Sequence, residues 1–348
     1  MDYHKGRGAQ VNPPNRFSQT QLTREHAEGL DEDISSAPQT QVFLESSKRI
    51  LSKVDSPDIP VSFSVNPYQG CEHGCVYCYA RNSHEYWGFS AGLDFEQKIM
   101  MKPDAPRLLE KEFLKRSWKP APVALSGNTD CYQPQERKQR ITRNLLKVFV
   151  KYANPVSIIT KNSLILRDLD LLRDLAGQRL VHVYLSITTL DEALRLQLEP
   201  RTATIAARLR TVRALTDAGV PVGVMVAPVI PGLNDAHLPA VLQAAAEHGA
   251  LAAGYSVVRL NGSVGVLFED WLRKNFPDRA GKVWNGIKAL HGGQVNDSRF
   301  GVRMNGTGPT AGIIAQLFKV AHQKHFAGRA MPPYDLTGFR PGGNLSLF

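Results

Sequence analysis

The chain has 348 residues, of which 43% are hydrophobic, and its formal net charge is +10. A chain of this length can bury a large core, as one α/β barrel or as two smaller domains. It contains no apolar run of about 18 residues and no N-terminal apolar segment of the signal-peptide kind, so we expect a cytoplasmic protein without a membrane partner. The basic charge suits a polyanionic partner such as nucleic acid, although an ordinary basic surface explains it equally well.

Residues 1–58 show weak hydrophobic periodicity, with an acidic patch at 25–33 and proline-rich edges. A segment of this kind either wraps around a core or stays mobile. We therefore interpret residues 1–58 as an N-terminal extension.

From residue 61 onward, short runs rich in β-branched residues alternate with longer segments of helical pattern. The predicted strands are 61–65, 123–125, 156–159, 181–187, 222–227 and 255–258. In one helical segment the apolar residues from Ile205 to Leu215 share a face, and Gly219 ends it. This alternation predicts parallel βα units over residues 59–262, in a six-stranded partial barrel or an open sheet.

The pattern changes after residue 262. Helices are predicted near 267–276, 283–290 and 311–326, which defines a helical region over 263–326 before an irregular tail at 327–348. Basic residues cluster in three places. They are Arg137, Lys138, Arg140, Arg143 and Lys147 on one predicted helix; Arg208, Arg210 and Arg213 on another; and Arg299, Arg303 and Lys319 near the C-terminus. These clusters indicate either a surface that binds nucleic acid or helices whose outer faces are charged for solubility.

Polar residues follow each predicted strand. In parallel sheets these positions meet at one edge, where sites for chemistry collect. The polar strand ends are 71–78, 126–130, 160–161, 186–189, 228–235 and Arg259.

The first strand end carries Cys71, Cys75 and Cys78 in a CxxxCxxC spacing. Three thiolates on a cubane iron-sulfur cluster leave one iron without a protein ligand, which is the open position that a reactive site needs. The alternative is a zinc ion held by the three cysteines and His73. Zinc sites usually take a second ligand pair from farther along the chain, and no such pair occurs, so the spacing favours iron-sulfur.

The cysteine motif, with Tyr77 before its last cysteine, resembles the signature of radical S-adenosylmethionine (SAM) enzymes. The string NPYQGCEHGCVYCYAR is similar to the spore-photoproduct-lyase-like branch of that superfamily. Other segments resemble an uncharacterised bacterial family beside that lyase, over residues 6–310. They are GRGAQVNPPNRF, TDCYQPQE, SIITK, LEPR, PVIPGLND and DSRFGVRMNGTGP.

The resemblance implies a partial (β/α)6 TIM-type barrel with a [4Fe-4S] cluster on Cys71, Cys75 and Cys78. It implies that SAM binds the remaining iron and is cleaved to a 5′-deoxyadenosyl radical, with an electron donor such as flavodoxin or ferredoxin. The implied cofactor contacts are Tyr77 by the adenine; Ser126, Asn128, Thr129 and Asp130 at the methionine amino group; Lys161, Ser186 and Thr188 at carboxylate or ribose; and Val226 to Pro228 beside the adenine.

Several alternatives stay open from the sequence. Ser186 and Thr188 could satisfy backbone groups, Lys161 could be a solvated charge, and Glu199 could pair with Arg201. Cys131 is a candidate hydrogen donor, since the lyase uses a cysteine in this region, but it follows Asp130 instead of preceding it, which favours an inert buried thiol.

The substrate also stays open. Nucleic acid, in a reaction like that of a DNA-lesion lyase, competes with a peptide or small molecule. From another class, the chain could be a non-catalytic metal-containing protein that binds nucleic acid.

Overall fold

The computed structural model describes residues 4, 6–17 and 40–342. Within them, ten strands form two sheets. The strands are β1 (Gln41–Leu44), β2 (Leu51–Lys53), β3 (Phe63–Val65), β4 (Tyr68–Gln69), β5 (Lys98–Met101), β6 (Val123–Leu125), β7 (Val156–Thr160), β8 (Val181–Ser186), β9 (Val222–Val229) and β10 (Ala252–Val257).

The larger sheet has seven strands in the order β10-β9-β8-β7-β6-β3-β2. Six of them pair in parallel, and β2 adds an antiparallel edge strand beside β3. The six predicted strands are therefore confirmed. In the described part of the chain β10 does not pair with β3, so this is an open, partial barrel. Val, Ile and Leu dominate the strands because both faces of a parallel sheet are buried.

Eleven helices accompany the sheets in the described residues. They are α1 (Leu93–Gln97), α2 (Ala105–Phe113), α3 (Glu136–Gln139), α4 (Ile141–Tyr152), α5 (Leu169–Gly177), α6 (Glu192–Leu198), α7 (Ile205–Asp217), α8 (Leu238–Glu247), α9 (Val264–Asn275), α10 (Ala280–Leu290) and α11 (Gly308–Phe326). Further 3₁₀ helices span Tyr79–Trp87, Ser163–Asp168 and Asp235–His237. The helix predicted before Gly219 is confirmed as α7.

The single basic helix predicted through Arg137 and Lys147 is wrong, since α3 and α4 meet at Arg140 in a left-handed conformation with φ of +54°. The Glu136 carboxylate explains the break. It accepts a hydrogen bond from the Thr142 amide at 3.0 Å, at the start of α4, and another from the Tyr68 hydroxyl. A buried side chain therefore caps α4 where Arg140, a good helix former, gives no sequence signal.

A smaller sheet, in the order β1-β5-β4, lies beside the cysteine segment. The predicted extension 1–58 contributes β1 to this sheet and β2 to the larger one, while its acidic patch at 25–33 lies outside the described residues. Residues 327–342 of the predicted tail form no helix or strand. None of the described helices is long and apolar enough to cross a lipid bilayer.

Candidate active site

The cysteine loop, residues 71–78, follows β3 and β4 and lies at the carboxyl edge of the parallel strands. Its conformation requires glycine at Gly74, where φ is +68° and a Cβ atom would lie 2.8 Å from the Glu96 carboxylate. The Val76 amide donates to the carbonyl oxygen of Leu198 at 3.1 Å. The loop is thus tied to the C-terminal end of α6.

All four cysteines are free thiols, and the three in the loop are buried or half-buried. Burial, with the nearby Glu199 carboxylate, raises the pKa of Cys75 to about 12. Burial also raises the pKa of Cys71 and of Cys78. Thiols in this environment are neutral until a metal displaces their protons, because the thiolate is the ligand.

His73 does not supply a fourth ligand. Its Nδ1 lies 3.3 Å from the Asp130 carboxylate and its Nε2 lies 3.2 Å from the Asn162 side-chain nitrogen. Across the described residues, no three Cys, His, Asp or Glu side chains converge as a single ion requires. A tetrahedral zinc needs four donors around one centre. Three sulfur donors on separate positions of a loop instead fit a cluster, in which each thiolate binds a different iron.

Asp130 is the acceptor at the centre of this edge. Besides His73, its carboxylate accepts hydrogen bonds from the Thr160 hydroxyl at 2.7 Å and from the main-chain amides of Lys161 and Tyr132, both at 2.8 Å. Burial alone would raise the pKa of Asp130, but His73 and these donors outweigh it and hold the pKa at about 2. Asp130 therefore joins the cysteine loop to the end of β7 as a permanent anion.

A second buried network holds the other half of the loop. The Tyr77 hydroxyl donates to the Glu199 carboxylate, which also accepts from the Thr188 hydroxyl at 3.0 Å and pairs with Arg208 at 2.5 Å. Burial would raise the pKa of Glu199, but Arg208 and Lys161 lower it. The predicted pairing of Glu199 with Arg201 is wrong. Arg208, predicted to be a surface charge, is buried.

Lys161 lies between the two networks. Its ammonium donates to the Ser186 hydroxyl at 3.1 Å and lies 5.9 Å from the centre of the Tyr77 ring. Among the described residues no carboxylate is within ion-pair distance of this half-buried ammonium. The pocket therefore offers one cation beside the cysteines.

The end of β6 forms a tight turn. Ser126 has a φ of +86°, and its hydroxyl donates to the Thr129 carbonyl oxygen at 2.6 Å and accepts from the Cys131 amide at 3.0 Å. The Asn128 amide donates to the Asn66 side chain at 2.7 Å. A non-glycine residue with positive φ is uncommon and collects at functional sites.

The remaining predicted residues are buried. Val226 and Pro228 lie on β9 with inaccessible side chains, so only their backbone can face a ligand. Cys131 is fully buried in the main hydrophobic core, and burial raises the pKa of its thiol.

Residues 6–17 form an N-terminal strap over the cysteine loop, which decides for this part of the extension between the two alternatives that the sequence left open. Glu96 is fully buried and pairs with the fully buried Arg81 at 2.6 Å. The same carboxylate accepts from the amides of Ala9 at 2.8 Å and Gly8 at 3.3 Å. Arg81 also donates to the Cys75 carbonyl oxygen at 2.9 Å. The segment GRGAQVNPPNRF was among those that carry the family resemblance, but its sequence did not show what it contacts.

The sequence and structure match known proteins. The family model of the radical SAM superfamily matches residues 65–245. An uncharacterised protein of Mycobacterium tuberculosis (strain H37Rv) is 36% identical over 234 residues, 66% of this chain and 69% of that protein. One from Methanocaldococcus jannaschii is 27% identical over 216 residues, 62% of this chain and 77% of that protein. A spore photoproduct lyase mutant with bound AdoMet and dinucleoside spore photoproduct shares the fold, with a TM-score of 0.61, 16% identity, and coverage of 82% of this chain and 80% of that chain.

Proposed function

Since the chain belongs to the radical SAM superfamily, whose members use a [4Fe-4S] cluster and SAM, we propose that it cleaves SAM reductively on a cluster held by Cys71, Cys75 and Cys78. The family assignment confirms the resemblance inferred from the cysteine motif. It makes the chain an enzyme, which removes the alternative of a non-catalytic protein that binds nucleic acid. The observation that carries the assignment of ligands is the donor set of three free loop thiols whose neighbour His73 has both ring nitrogens engaged.

Cys71, Cys75 and Cys78 would hold a [4Fe-4S] cluster, which would supply the electron for reductive cleavage of SAM and so the radical chemistry of hydrogen abstraction from the substrate. The protein binds and orients the zwitterionic cofactor. Lys161, which pairs with no carboxylate among the described residues, would attract the carboxylate of SAM, and the Ser186 hydroxyl holds the Lys161 ammonium in place. The Thr188 hydroxyl donates to the Glu199 carboxylate, and we place it in the same proposed site.

We assign the amino group of SAM to the turn after β6. Ser126, Thr129 and Asp130 shape this turn through their hydrogen bonds to the protein. The half-buried Asn128 donates to the Ser83 hydroxyl at 3.3 Å, and we assign its side-chain oxygen to the SAM amino group. The adenine lies by Tyr77, whose hydroxyl is fixed by Glu199, and against the backbone of β9 from Val226 to Pro228. An external one-electron donor such as flavodoxin or ferredoxin reduces the cluster. The free thiols suit a reduced cytoplasm.

The substrate that we propose is a nucleic acid, in a reaction of the lyase kind. The solved neighbour is named as a spore photoproduct lyase with bound dinucleoside spore photoproduct. This chain carries a net charge of +10, which favours approach to phosphates. Because a shared fold does not transfer a reaction, the substrate needs its own test.

Cys131 is the candidate hydrogen donor to the substrate radical. Its burial in the core, with its amide tied to Ser126, supports the alternative of an inert thiol. We propose the inert role. Replacement by alanine should leave both 5′-deoxyadenosine formation and the product unchanged, whereas a changed product with intact SAM cleavage would assign hydrogen donation to this thiol.

The function is tested by anaerobic reconstitution with iron and sulfide. We expect about four irons per chain, a brown colour, and 5′-deoxyadenosine on addition of dithionite and SAM, measured by liquid chromatography. Cys71→Ala is the loss-of-ligand variant and Cys131→Ala is the matched control with all three ligands intact. A colourless protein that holds one zinc ion and forms no 5′-deoxyadenosine would refute the proposal.

A further inference from the structure

Arg259 is a half-buried cation that the proposed SAM pocket does not use. It lies two residues beyond β10, at the carboxyl edge that also carries the cysteine loop. Within the part of the chain that the structure describes, no oxygen accepts a hydrogen bond from its guanidinium. By contrast, Arg81, Arg208 and Arg303 each donate to a carboxylate. Since a partly desolvated guanidinium is costly without an acceptor, Arg259 is poised to receive an anion from outside the chain.

The Asp58 carboxylate, on the loop between β2 and β3, is already engaged. Asp58 pairs with Arg303 at 2.5 Å and accepts a hydrogen bond from the Gly301 amide at 2.7 Å. Burial and the Arg303 guanidinium lower the pKa of Arg259, whereas Tyr79 and Asp58 act in the opposite direction. Among the described residues no carboxylate lies within ion-pair distance of Arg259, so its positive charge has no direct ion pair. The segment after the cysteine loop is fixed beside it, since the Asn82 side chain donates to the Asn261 carbonyl oxygen at 2.8 Å.

Two exposed aromatic rings lie on segments that are hydrogen-bonded to the chain on either side of Arg259. Tyr79 follows the last cysteine of the loop and is 50% exposed, with its hydroxyl donating to the Gly127 carbonyl oxygen. Phe300 is 55% exposed, and the Arg303 guanidinium lies 4.4 Å from its ring centre. The loop that carries Phe300 is fixed to the sheet by a hydrogen bond from the Val257 amide to the Met304 carbonyl oxygen at 2.9 Å. Exposed rings on segments fixed next to the segment of an unpaired cation are the elements of a stacking platform.

We infer that Arg259 binds a backbone phosphate of a nucleic acid strand, with Tyr79 and Phe300 as stacking surfaces for the adjoining bases. This inference rests on the proposed function and specifies how its substrate is held. A guanidinium can bind a phosphate through two parallel hydrogen bonds. A nucleic acid strand carries phosphates and flat bases in alternation, which matches a surface that carries a cation and aromatic rings. An acidic peptide offers carboxylates without a regular partner for the two rings.

The test is fluorescence anisotropy with a 5′-fluorescein-labelled 12-mer of deoxythymidine, titrated with the reconstituted enzyme at 50 to 300 mM salt. Arg259→Gln should weaken binding about tenfold, which is the loss of one charge-assisted contact. It should also reduce the slope of log affinity against log salt by about 0.7. Arg259→Lys should keep the slope and lose part of the affinity. The matched control is Arg107→Gln, an exposed arginine on α2, which should bind as wild type.

Three results would overturn the inference. The first is that Arg259→Gln binds the DNA strand with wild-type affinity and wild-type salt slope. A tyrosine- and glutamate-containing 12-residue peptide could displace the strand from wild type at lower concentration than unlabelled DNA, which would assign the site to peptides. Arg259→Gln could lose SAM in equilibrium dialysis while keeping DNA affinity, which would assign the arginine to the cofactor. Reductive SAM cleavage by wild type without DNA is measured in parallel, and its failure would count against the proposed function alone.

Discussion

The strap over the cysteine loop gives the sharpest prediction, through Gly8→Ala. A Cβ atom at Gly8 would lie 1.7 Å from the Gly74 carbonyl oxygen, and real Cβ contacts stay beyond about 3.0 Å. The strap would therefore retreat by more than 1 Å. The amides of Gly8 and Ala9 would lose the buried Glu96 carboxylate. Hydrogen bonds to charged groups contribute about 1.5 kcal/mol or more each, so we expect the strap to be destabilised by about 3 kcal/mol.

The effect should be local, because the core of the sheet does not depend on the strap. Hydrogen exchange at residues 6–17 should accelerate by roughly a hundredfold, and air should bleach the reconstituted cluster faster. The control is Gly6→Ala, where a Cβ atom meets nothing within 4 Å and only the cost of a positive φ applies. Equal exchange and equal bleaching in the two variants would show that close contact at Gly8 does not seal the loop.

Three further variants test individual groups. Cys71→Ala should lose the cluster absorption and most of the bound iron, while circular dichroism stays unchanged. Glu199→Gln leaves the buried Arg208 without its counter-ion and should lower the unfolding free energy by about 3 kcal/mol in urea titrations, with Glu192→Gln as the exposed control. Burial lowers the pKa of His84 from 6.5 to about 4. The folded protein therefore keeps His84 neutral while the unfolded chain takes up a proton below about pH 6.5, so the free energy of unfolding falls as the pH is lowered through this range. Wild type should lose about 2 kcal/mol from pH 7 to pH 5 that His84→Phe does not lose, and parallel profiles would contradict this assignment.

The parallel strands and the cysteine loop were predictable because their signals are local. Runs of β-branched residues mark β7, β8 and β9, and the spacing of the three cysteines is contained in eight residues. Helix ends marked by glycine, as at Gly219, were equally plain. The break at Arg140 was not, because its cause is the carboxylate of Glu136, which is held by Tyr68 from a distant strand.

The partners of the buried charges could not be predicted for the same reason. Glu199 pairs with Arg208 and not with Arg201, which is nearer in sequence, because Arg208 lies on the buried face of α7. That placement depends on how the helix packs and not on sequence distance. Glu96 and Arg81 are 15 residues apart, and nothing in the local sequence distinguishes them from surface charges. In the structure the pair is fully buried beneath the strap. A sequence pattern reports which residue types are present, whereas the ion pairs depend on contacts between elements.

These buried charges bear on how the cysteine loop is formed. His73 is fixed by Asp130, Tyr77 by Glu199, and the Cys75 carbonyl oxygen by Arg81, so three separate elements hold the loop through protein contacts alone. Small zinc domains, in contrast, unfold without their metal because the metal supplies the folding energy. We therefore expect that stripping the reconstituted enzyme with a chelator under reducing conditions lowers Tm by only a few degrees and leaves slow hydrogen exchange at 71–78. Loss of that protection on chelation, with the exchange at β7 and β8 unchanged, would mean that the cluster orders the loop, and that the buried charges do not.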